Sequence, residues 1–269
     1  MRIQRAGKSK VLVIGLDAGT LDLVRPWVEQ GYLPSLGRLI TEGASGTLES
    51  TIPTISPAAW ISMITGKNPG KHGIFDFVRR DPDSYRLDYV QPALSKIGTV
   101  FGYLSEAGRR VGVLGVPVTY PPEPVNGFMV SGPWAPENEN CVYPSGMFHY
   151  LEKKGYEINN TVSYTPDTAD VFLEYLEDVT DVRASVALEL LQREPWDLFM
   201  VVFRDTDTVA SFFWHDMDPT HPQHDPQRAE QFGTAILDHY RQLDRYIGKM
   251  LGVIDEDTTV MIVSDHGSG

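Results

Sequence analysis

VLVIGLD, residues 11–17, is a run of six apolar or small residues that ends in an aspartate. Runs of this length, bounded by polar and turn-forming residues, are typical of strands buried on both faces of a parallel sheet. Three further segments have the same character, namely Val111–Val116, Leu198–Phe203 and Thr259–Val263. We therefore predict a first strand at Val11–Leu16 and three more strands further along the chain.

Segments with helical periodicity separate these strands. Their apolar residues recur at the spacing of one face of an α-helix. The predicted helices are Leu21–Gln30, Pro34–Glu42, Ile97–Glu106, Val182–Arg193 and one long helix within Arg228–Leu251. Strands that alternate with helices predict an α/β fold, here with three αβα layers around a mostly parallel central sheet.

One segment, residues 120–168, breaks this alternation. It is rich in Pro, Asn, Gly and Tyr, and it is too aromatic for a flexible tether. We predict that it is a cap or insertion over the active-site edge of the sheet, within a single domain of residues 1–269. Because the chain stops three residues after His266, directly behind the last predicted strand, we also expect the domain to be incomplete at its C-terminal end.

The composition excludes several classes of protein. The 42% hydrophobic and 22% charged residues are typical of a globular protein. The net charge of −13 opposes binding to nucleic-acid polymers and to anionic membranes, which carry the same sign. The single cysteine, Cys141, excludes an internal disulfide.

No apolar stretch approaches the roughly 18 residues of a membrane span. The apolar run behind the basic start MRIQRAGKSK is also too short for a signal peptide. We therefore expect a cytoplasmic protein that does not bind membranes, and the sequence leaves the oligomeric state open.

Acidic residues follow three of the predicted strands. Asp17 ends the first strand, Asp205 and Asp207 follow another, and Asp265 and His266 follow the last. An aspartate after one strand often only begins a turn or caps a helix. The carboxyl ends of parallel strands meet at one edge of a sheet, and carboxylates gathered there repel each other unless a cation lies among them. Carboxylate and imidazole ligands suit Zn²⁺ or Mn²⁺, so we predict a divalent metal site at this edge.

Ser56 and Pro57 precede a run of helix-forming residues. A serine N-cap with proline at the first helical position explains this pattern if Ser56 only caps the helix. Alternatively, the hydroxyl lies where the helix N-terminus favours a phosphate group and, beside a metal ion, acts as a nucleophile. The spacing of the residues leaves both explanations open.

The segments GLDAG, TISPAAWISMITGKNPGKHGIFDF, VFRDTD and SDHG, in this order, resemble the motifs of the type I phosphodiesterase/nucleotide pyrophosphatase family of the alkaline phosphatase superfamily. The resemblance covers nearly the whole chain. It implies an alkaline phosphatase-like fold and a hydrolase of small phosphate esters that works through a phosphoseryl intermediate with two metal ions, usually zinc. It leaves the substrate-binding residues unknown.

The resemblance also implies roles for individual residues. Ser56 is implied as both metal ligand and nucleophile, and Asp207 as a ligand of the second metal ion. Thr54 is an alternative nucleophile because the neighbouring proline is placed differently in some relatives. The residues implied around the first metal ion are Asp17, Ser56, Asp265 and His266.

The chain departs from the family pattern in the second metal site. The family places a histidine four residues after Asp207, where this chain has Ser211. His215 lies a further turn along, about 12 Å of helix rise from Asp207, which is too far for the two residues to share an ion. Asp205 is then a candidate to help hold the second ion. An asparagine that holds the phosphoryl oxygen in nucleotide-cleaving relatives is Ala59 here.

These departures keep other functions open. A phosphomonoesterase or phosphomutase on the same scaffold fits the motifs, and so does a catalytically weak or inactive member of the family. A sulfatase is disfavoured because the segment around Pro57 lacks the arginine of the sulfatase motif.

Overall fold

The computed structural model describes residues 10–90 and 94–268, and a six-stranded sheet forms the centre of the fold within them. The basic start, for which the sequence predicts no signal peptide, lies outside the described residues apart from Lys10. The strands are β1 (Val11–Leu16), β2 (Val78–Arg80), β3 (Leu87–Tyr89), β4 (Val111–Val116), β5 (Gly127–Ser131), β6 (Val142–Tyr143), β7 (Leu198–Phe203) and β8 (Thr259–Val263). The α-helices are α1 (Leu21–Glu29), α2 (Pro34–Glu42), α3 (Ser56–Thr65), α4 (Pro69–His72), α5 (Leu94–Ile97), α6 (Val100–Glu106), α7 (Met147–Lys153), α8 (Ala169–Arg193), α9 (Asp205–Met217), α10 (Pro226–Phe232) and α11 (Ala235–Leu251).

The central sheet has the strand order β6-β5-β4-β7-β1-β8. Every neighbouring pair from β5 to β8 is parallel, whereas β6 runs antiparallel to β5. Strands β2 and β3 form a separate antiparallel hairpin. The predicted mostly parallel sheet is therefore confirmed, and the carboxyl ends of β4, β7, β1 and β8 lie at one edge.

Alternate residues of the strands face two hydrophobic cores. On one face, Leu12 and Ile14 of β1 lie in a core with residues of α1, α2, α8, α9 and α11. On the other face, Val13 lies in a core with Trp60 of α3 and Phe101 of α6. Because helices cover both faces, the central strands consist of nearly continuous apolar runs. The predicted three-layer αβα architecture is confirmed.

The four predicted strands have the predicted bounds, but β8 differs in its surroundings. Strands β1, β4 and β7 are buried on both faces, as expected. The same expectation is wrong for β8, because β8 is the edge strand of the sheet and Met261 is 44% exposed. An apolar run alone does not distinguish an edge strand from a central one.

The predicted helix Ile97–Glu106 is α6, but the predicted start is three residues too early. Helix α5 ends at Ile97 and α6 begins at Val100. Between them, Gly98 adopts a φ of +81°, in the left-handed region where a helix does not continue. Thr99 then caps α6, because its side chain accepts a hydrogen bond from the Gly102 N–H at 3.0 Å.

One other helix differs from the prediction and one agrees with it. The predicted Val182–Arg193 is the C-terminal part of α8, a helix of 25 residues that begins at Ala169. The long helix predicted within Arg228–Leu251 is α11, Ala235–Leu251, and the separate short helix α10 ends before Gly233. In the part of the chain that the structure describes, no helix has both the length and the apolar character needed to cross a membrane.

The segment 120–168 contributes to the sheet itself. Its residues Gly127–Ser131 form β5, which pairs in parallel with β4, and Val142–Tyr143 form β6. These residues therefore belong to the sheet rather than to a cap over it. The sequence did not reveal β5 because the strand is short and lies between proline-rich stretches. A cap formed by the rest of the segment stays a prediction.

Candidate active site

Three adjacent strands end level with one another at the carboxyl edge of the sheet. Leu16 of β1 is in register with Phe203 of β7, and Gly15 is in register with Val263 of β8. The Asp17 N–H donates to the Phe203 carbonyl at 3.0 Å, which extends the pairing of β1 and β7 by one residue. Asp17 therefore lies between the turns that follow β7 and β8.

The hydroxyl of Ser56 lies within this group of acids. Its Oγ is 3.2 Å from Asp17 Oδ1 and 3.0 Å from His266 Nε2. Helix α3 begins at Ser56 itself, its N-cap is Ile55, and no side chain makes a capping hydrogen bond. The explanation that Ser56 only caps the helix is therefore wrong, and its hydroxyl faces the acids instead.

Trp60 links α3 to the end of β1. Its Nε1 donates to Asp17 Oδ2 at 3.1 Å. The indole ring packs against Gly15, where a Cβ atom would lie only 2.6 Å from the ring. Gly15 therefore makes room for Trp60, which orients Asp17. Trp60 was not among the residues predicted for the site, although its position one helical turn after Ser56 places both on one face of α3.

Asp265 is held by the backbone next to Asp17. The Ala18 N–H donates to Asp265 Oδ1 at 3.0 Å. Ala18 adopts a φ of +55°, which is uncommon for a residue other than glycine and is found more often at functional sites. The other oxygen, Asp265 Oδ2, is buried without a hydrogen-bond partner among the described residues and lies 3.3 Å from His266 Nε2.

The Nε2 atom of His266 faces the carboxylates of Asp17 and Asp265. Its Nδ1 is 3.0 Å from the carbonyl oxygen of Gly267, and because a carbonyl only accepts, Nδ1 carries the proton in this contact. In this tautomer Nε2 is the ring nitrogen that can bind a metal ion, and it lies 3.8 Å from Asp17 Oδ1. Lone pairs of nitrogen and carboxylate oxygen that converge in this way require a proton or a cation between them.

Asp207 joins the same group. One ligand atom each from Asp17, Asp207 and His266 lie within 4.8 Å of one another. Burial raises the pKa of Asp17 well above its ordinary value of 3.8, and the charges of Asp265 and Asp207 raise it further. Burial also raises the pKa of Asp207. Both shifts show that ionising these carboxyl groups together is unfavourable without a compensating positive charge.

The donor set fits a divalent metal ion. It combines carboxylate oxygens, one imidazole nitrogen and a hydroxyl, which are ligands that suit Zn²⁺ or Mn²⁺. The unpartnered Asp265 Oδ2 adds a free lone pair at the same place. The structure thus brings together the residues that the sequence singled out for the first metal ion, and the metal ion held by Asp207 stays a prediction.

The family of the chain follows from comparison with known proteins. The profile of the family described as type I phosphodiesterase/nucleotide pyrophosphatase matches residues 11–269. This chain belongs to that family. The resemblance in the sequence motifs is therefore confirmed. No curated protein sequence matches the chain.

Solved structures show the same fold in longer chains. Phosphonoacetate hydrolase from Sinorhizobium meliloti 1021, bound to phosphonoformate, is 18% identical with a TM-score of 0.66, covering 97% of this chain and 56% of the other. Murine ectonucleotide pyrophosphatase/phosphodiesterase 5, in an inactive form bound to AMP, is 17% identical with a TM-score of 0.53, covering 96% and 57%. A putative sulfatase from Bacteroides thetaiotaomicron VPI-5482 is 12% identical with a TM-score of 0.59, covering 97% and 59%.

These likenesses concern the fold alone, and they confirm the predicted alkaline phosphatase-like architecture for this member of the family. The chain spans between 56% and 59% of the length of these solved chains.

Asp205 lies outside the group of candidate metal ligands. Its Oδ2 is 2.6 Å from Arg183 Nη1, and its Oδ1 accepts a hydrogen bond from Asn160 Nδ2 at 3.1 Å. Burial opposes its ionisation, but the charges of Arg183 and Arg204 lower the pKa of Asp205 to about 2. The prediction that Asp205 helps to hold a second ion is therefore wrong, because Arg183 and Asn160 already occupy its oxygens.

Two further candidates also lie outside this group. The exposed Thr54 donates its hydroxyl to the Thr51 carbonyl at 3.0 Å, so Ser56 has the better geometry for a nucleophile. His215 Nε2 is 3.4 Å from Asp216, and His215 is not among the residues grouped with Asp207.

A buried histidine lies near the ion pair of Asp205 and Arg183. His239 of α11 is 6% exposed, and its Nε2 has no hydrogen-bond partner among the described residues. Burial lowers the pKa of His239 from 6.5 to about 4, although the charge of Asp205 opposes this shift. His239 is therefore a neutral core residue at pH 7.

Replacing His239 by Phe is expected to make the fold less sensitive to acid. Between pH 6.5 and pH 4 the unfolded chain binds a proton that the native His239 does not, so the stability of the wild type falls as the pH drops through this window. At pH 5 this loss amounts to about 2 kcal/mol, and the variant does not incur it. Urea unfolding at pH 7.5 and at pH 5 measures the difference. A difference between the two proteins that is equal at both pH values would contradict the prediction.

Proposed function

We propose that this chain is a metal-dependent hydrolase of small phosphate esters, of the phosphodiesterase or nucleotide pyrophosphatase type, with Ser56 as its nucleophile. The observation that carries the proposal is the position of Ser56 Oγ, 3.2 Å from Asp17 and 3.0 Å from His266 at the first residue of α3. Membership of the family supports hydrolysis at phosphorus. The activity of the longer relatives is proposed, not established, for a chain that spans 56% to 59% of their length.

The proposal assigns one divalent ion, zinc or alternatively manganese, to Asp17, Ser56, Asp265 and His266, and it assigns Asp207 to a second ion. A bound ion supplies Lewis-acid stabilisation of the phosphoryl oxygens and lowers the pKa of a coordinated hydroxyl. The convergent lone pairs and the raised pKa of Asp17 support this assignment.

Ser56 is proposed to attack the phosphorus atom in line with the leaving oxygen. A bond forms between Ser56 Oγ and phosphorus, the bond to the leaving oxygen breaks, and the leaving group takes up a proton. The hydroxyl proton of Ser56 has acceptors within reach in Asp17 Oδ1 and His266 Nε2. The N–H groups of the first turn of α3 favour the charge that develops on the equatorial oxygens. Water then hydrolyses the phosphoseryl intermediate and restores Ser56.

A second candidate function is binding of phosphate esters with little or no turnover. It is favoured by the position four residues after Asp207, where the family pattern has a histidine and this chain has Ser211, whose side chain hydrogen-bonds to Asp207. A weakly held second ion would impair hydrolysis of the intermediate more than the attack by Ser56.

The proposal is tested with a panel of substrates and with metal removal. We expect the zinc- or manganese-loaded protein to hydrolyse an aryl phosphodiester such as bis(4-nitrophenyl) phosphate. Treatment with EDTA should lower the rate of hydrolysis by about 100-fold, because the metal contributes several kcal/mol of transition-state stabilisation. Release of 4-nitrophenol measures the rate, and adding the metal back is the control.

The same panel separates the alternatives. Faster hydrolysis of 4-nitrophenyl phosphate would assign a phosphomonoesterase, and hydrolysis of 4-nitrophenyl sulfate a sulfatase. A stoichiometric phosphoprotein that never turns over would favour the binding function. Activity that survives complete chelation would contradict the metal dependence.

A further inference from the structure

Three candidate metal ligands that follow strands of the sheet are fixed through their backbone carbonyl groups. Each carbonyl accepts a hydrogen bond from the hydroxyl of another residue. The donor and acceptor pairs are Thr206 and Asp17 at 2.5 Å, Ser264 and His266 at 2.6 Å, and Ser50 and Asp265 at 2.5 Å. Hydroxyl groups thus hold the backbone that carries the three ligand side chains.

Ser50 differs from the other two donors in its place in the fold. The other two follow strands of the sheet, whereas Ser50 lies in the segment that joins α2 to α3. Only five residues separate Ser50 from Ser56, the candidate nucleophile. The hydrogen bond of Ser50 therefore joins the segment that leads to Ser56 to the turn that carries Asp265.

Little else holds this segment in place. None of residues 44–54 is buried, and Leu48 and Ile52 are 77% and 88% exposed. Among the residues that the structure describes, the bond from Ser50 is the only hydrogen bond between residues 44–54 and another part of the chain. The other side-chain hydrogen bonds of residues 44–54 lie within the segment itself. Without Ser50, only the two ends of the segment would fix its position.

The candidate active site depends on the position of this segment. Ser56 Oγ is 3.2 Å from Asp17 Oδ1 and 3.0 Å from His266 Nε2, and a misplacement of about 1 Å in such a site can lower the rate about 100-fold. A residue that supports a metal ligand without contacting the ion typically changes metal affinity or activity by about 10- to 100-fold when it is replaced. Ser50 supports Asp265 and lies on the segment of Ser56, so both effects apply to it.

We propose that Ser50 is a positioning residue that holds residues 44–54, and with them Ser56, against the turn of Asp265 and His266. The inference rests on the proposed function in so far as this turn binds a metal ion. The link between the two parts of the chain is a property of the polypeptide itself, so it is tested first without metal.

Proteolysis measures how firmly the segment is held. Endoproteinase Glu-C cleaves after glutamate, and the exposed Glu49 directly precedes Ser50. Because Ser50→Ala removes the hydrogen bond, we expect the bond between residues 49 and 50 of the metal-free full chain to be cut about 5- to 10-fold faster than in the wild type. Mass spectrometry measures the cleavage, and synthetic peptides of residues 44–55, with and without the substitution, correct for the preference of the protease.

Two variants are the controls for this comparison. Ser50→Thr retains the hydroxyl and should be cut at close to the rate of the wild type. Ser45→Ala makes the same chemical change as Ser50→Ala at an exposed position of the same segment, and it should also behave like the wild type.

Zinc titration distinguishes a positioning role from a merely structural one. We expect Ser50→Ala to bind zinc about 10- to 100-fold more weakly than the wild type, and Ser50→Thr to bind it within a few-fold of the wild type. The unfolding temperature of metal-free Ser50→Ala should stay within a few degrees of the wild type, because the segment is exposed. A lower unfolding temperature with unchanged zinc affinity would assign Ser50 a structural role and overturn the proposal.

The outcomes separate this proposal from the proposed function. A cleavage rate of Ser50→Ala within twofold of the wild type would overturn the role of Ser50, and so would unchanged zinc affinity in a protein that binds zinc. A wild type that binds no zinc would instead contradict the proposed metal site, and the cleavage comparison, which needs no metal, would then decide the role of Ser50. Should Ser50→Ala not fold, Ser50→Cys decides by the same two measurements, because a thiol is only a weak hydrogen-bond donor.

Discussion

Replacing Ser56 by Ala is expected to abolish phosphate-ester hydrolysis while leaving the fold intact. The hydroxyl is the only atom removed, and it makes no capping bond in α3, so the helix does not depend on it. Without the hydroxyl no covalent intermediate forms, and loss of a nucleophile lowers kcat by at least about 10⁴-fold. Steady-state hydrolysis of the aryl phosphodiester measures the loss, and urea unfolding measures the stability, which should change by less than about 1 kcal/mol.

Thr54→Ala is the matched control for this experiment. Thr54 lies two residues before Ser56, carries the same hydroxyl chemistry and is exposed, with its Oγ1 donating to the Thr51 carbonyl. We expect its removal to leave kcat within a few-fold of the wild type. Retained activity in Ser56→Ala together with a large loss in Thr54→Ala would assign the nucleophile to Thr54. Retained activity in both variants would sink the covalent mechanism.

The central part of the fold was predictable because local pattern and tertiary environment agree there. Strands β1, β4 and β7 are apolar throughout and are buried on both faces, so their bounds follow from the sequence alone. Strand β8 has the same composition but lies at the edge. Its position depends on which strands pair, and pairing is a non-local property that an apolar run does not encode.

The interruption between α5 and α6 has a local cause that the periodicity did not reveal. The apolar pattern continues across Gly98, yet the left-handed conformation of this residue ends one helix, and the Thr99 cap begins the next. A Gly-Thr pair within a helical pattern is therefore evidence for a break, because glycine readily adopts this conformation and threonine caps helices.

The site was predictable where motif and strand end coincide. Asp17, Asp265 and His266 each follow the end of a strand, and the parallel register brings them together. Asp205 also follows a strand, but its carboxylate contacts Arg183 of α8 instead. Asp205 and Asp207 both follow β7 and have similar sequence surroundings. Only their tertiary neighbours distinguish them, because Asp205 pairs with Arg183 whereas Asp207 lies beside Asp17 and His266.

Trp60 was missed because its partner is distant in sequence. Its Nε1 reaches Asp17 across 43 positions of the chain. Such a contact is not visible from residue type or spacing, because it is defined only once the neighbours of a side chain are known.

Asp17→Asn is expected to have opposite effects on the metal-free and the metal-loaded protein. Burial raises the pKa of Asp17, and the charges of Asp265 and Asp207 add to it, so the ionised form is disfavoured in the fold without metal. Above the ordinary pKa of 3.8, the native protein therefore holds a proton that the unfolded chain has lost, and stability falls as the pH rises through this window. Asparagine cannot ionise, so the metal-free variant should be more stable than the metal-free wild type at neutral pH, and this advantage should shrink towards pH 4.

With metal the order is reversed, because the charge that destabilises the empty cluster attracts the ion. We expect Asp17→Asn to weaken zinc binding by more than about 100-fold, beyond the usual effect of altering a residue that only supports a ligand, and to lower kcat/KM by at least about 1000-fold.

The substitution preserves the hydrogen bonds of the side chain, since an asparagine at this position still offers an oxygen to Trp60 Nε1 and an amide group to Ser56 Oγ. Asp22→Asn, an exposed aspartate in the first turn of α1, is the matched control for the loss of one charge. Zinc titration and urea unfolding in EDTA measure the two effects separately. A variant that binds zinc like the wild type, or that is less stable without metal at pH 7.5, would show that Asp17 is a structural hydrogen-bond acceptor for Trp60 rather than a metal ligand.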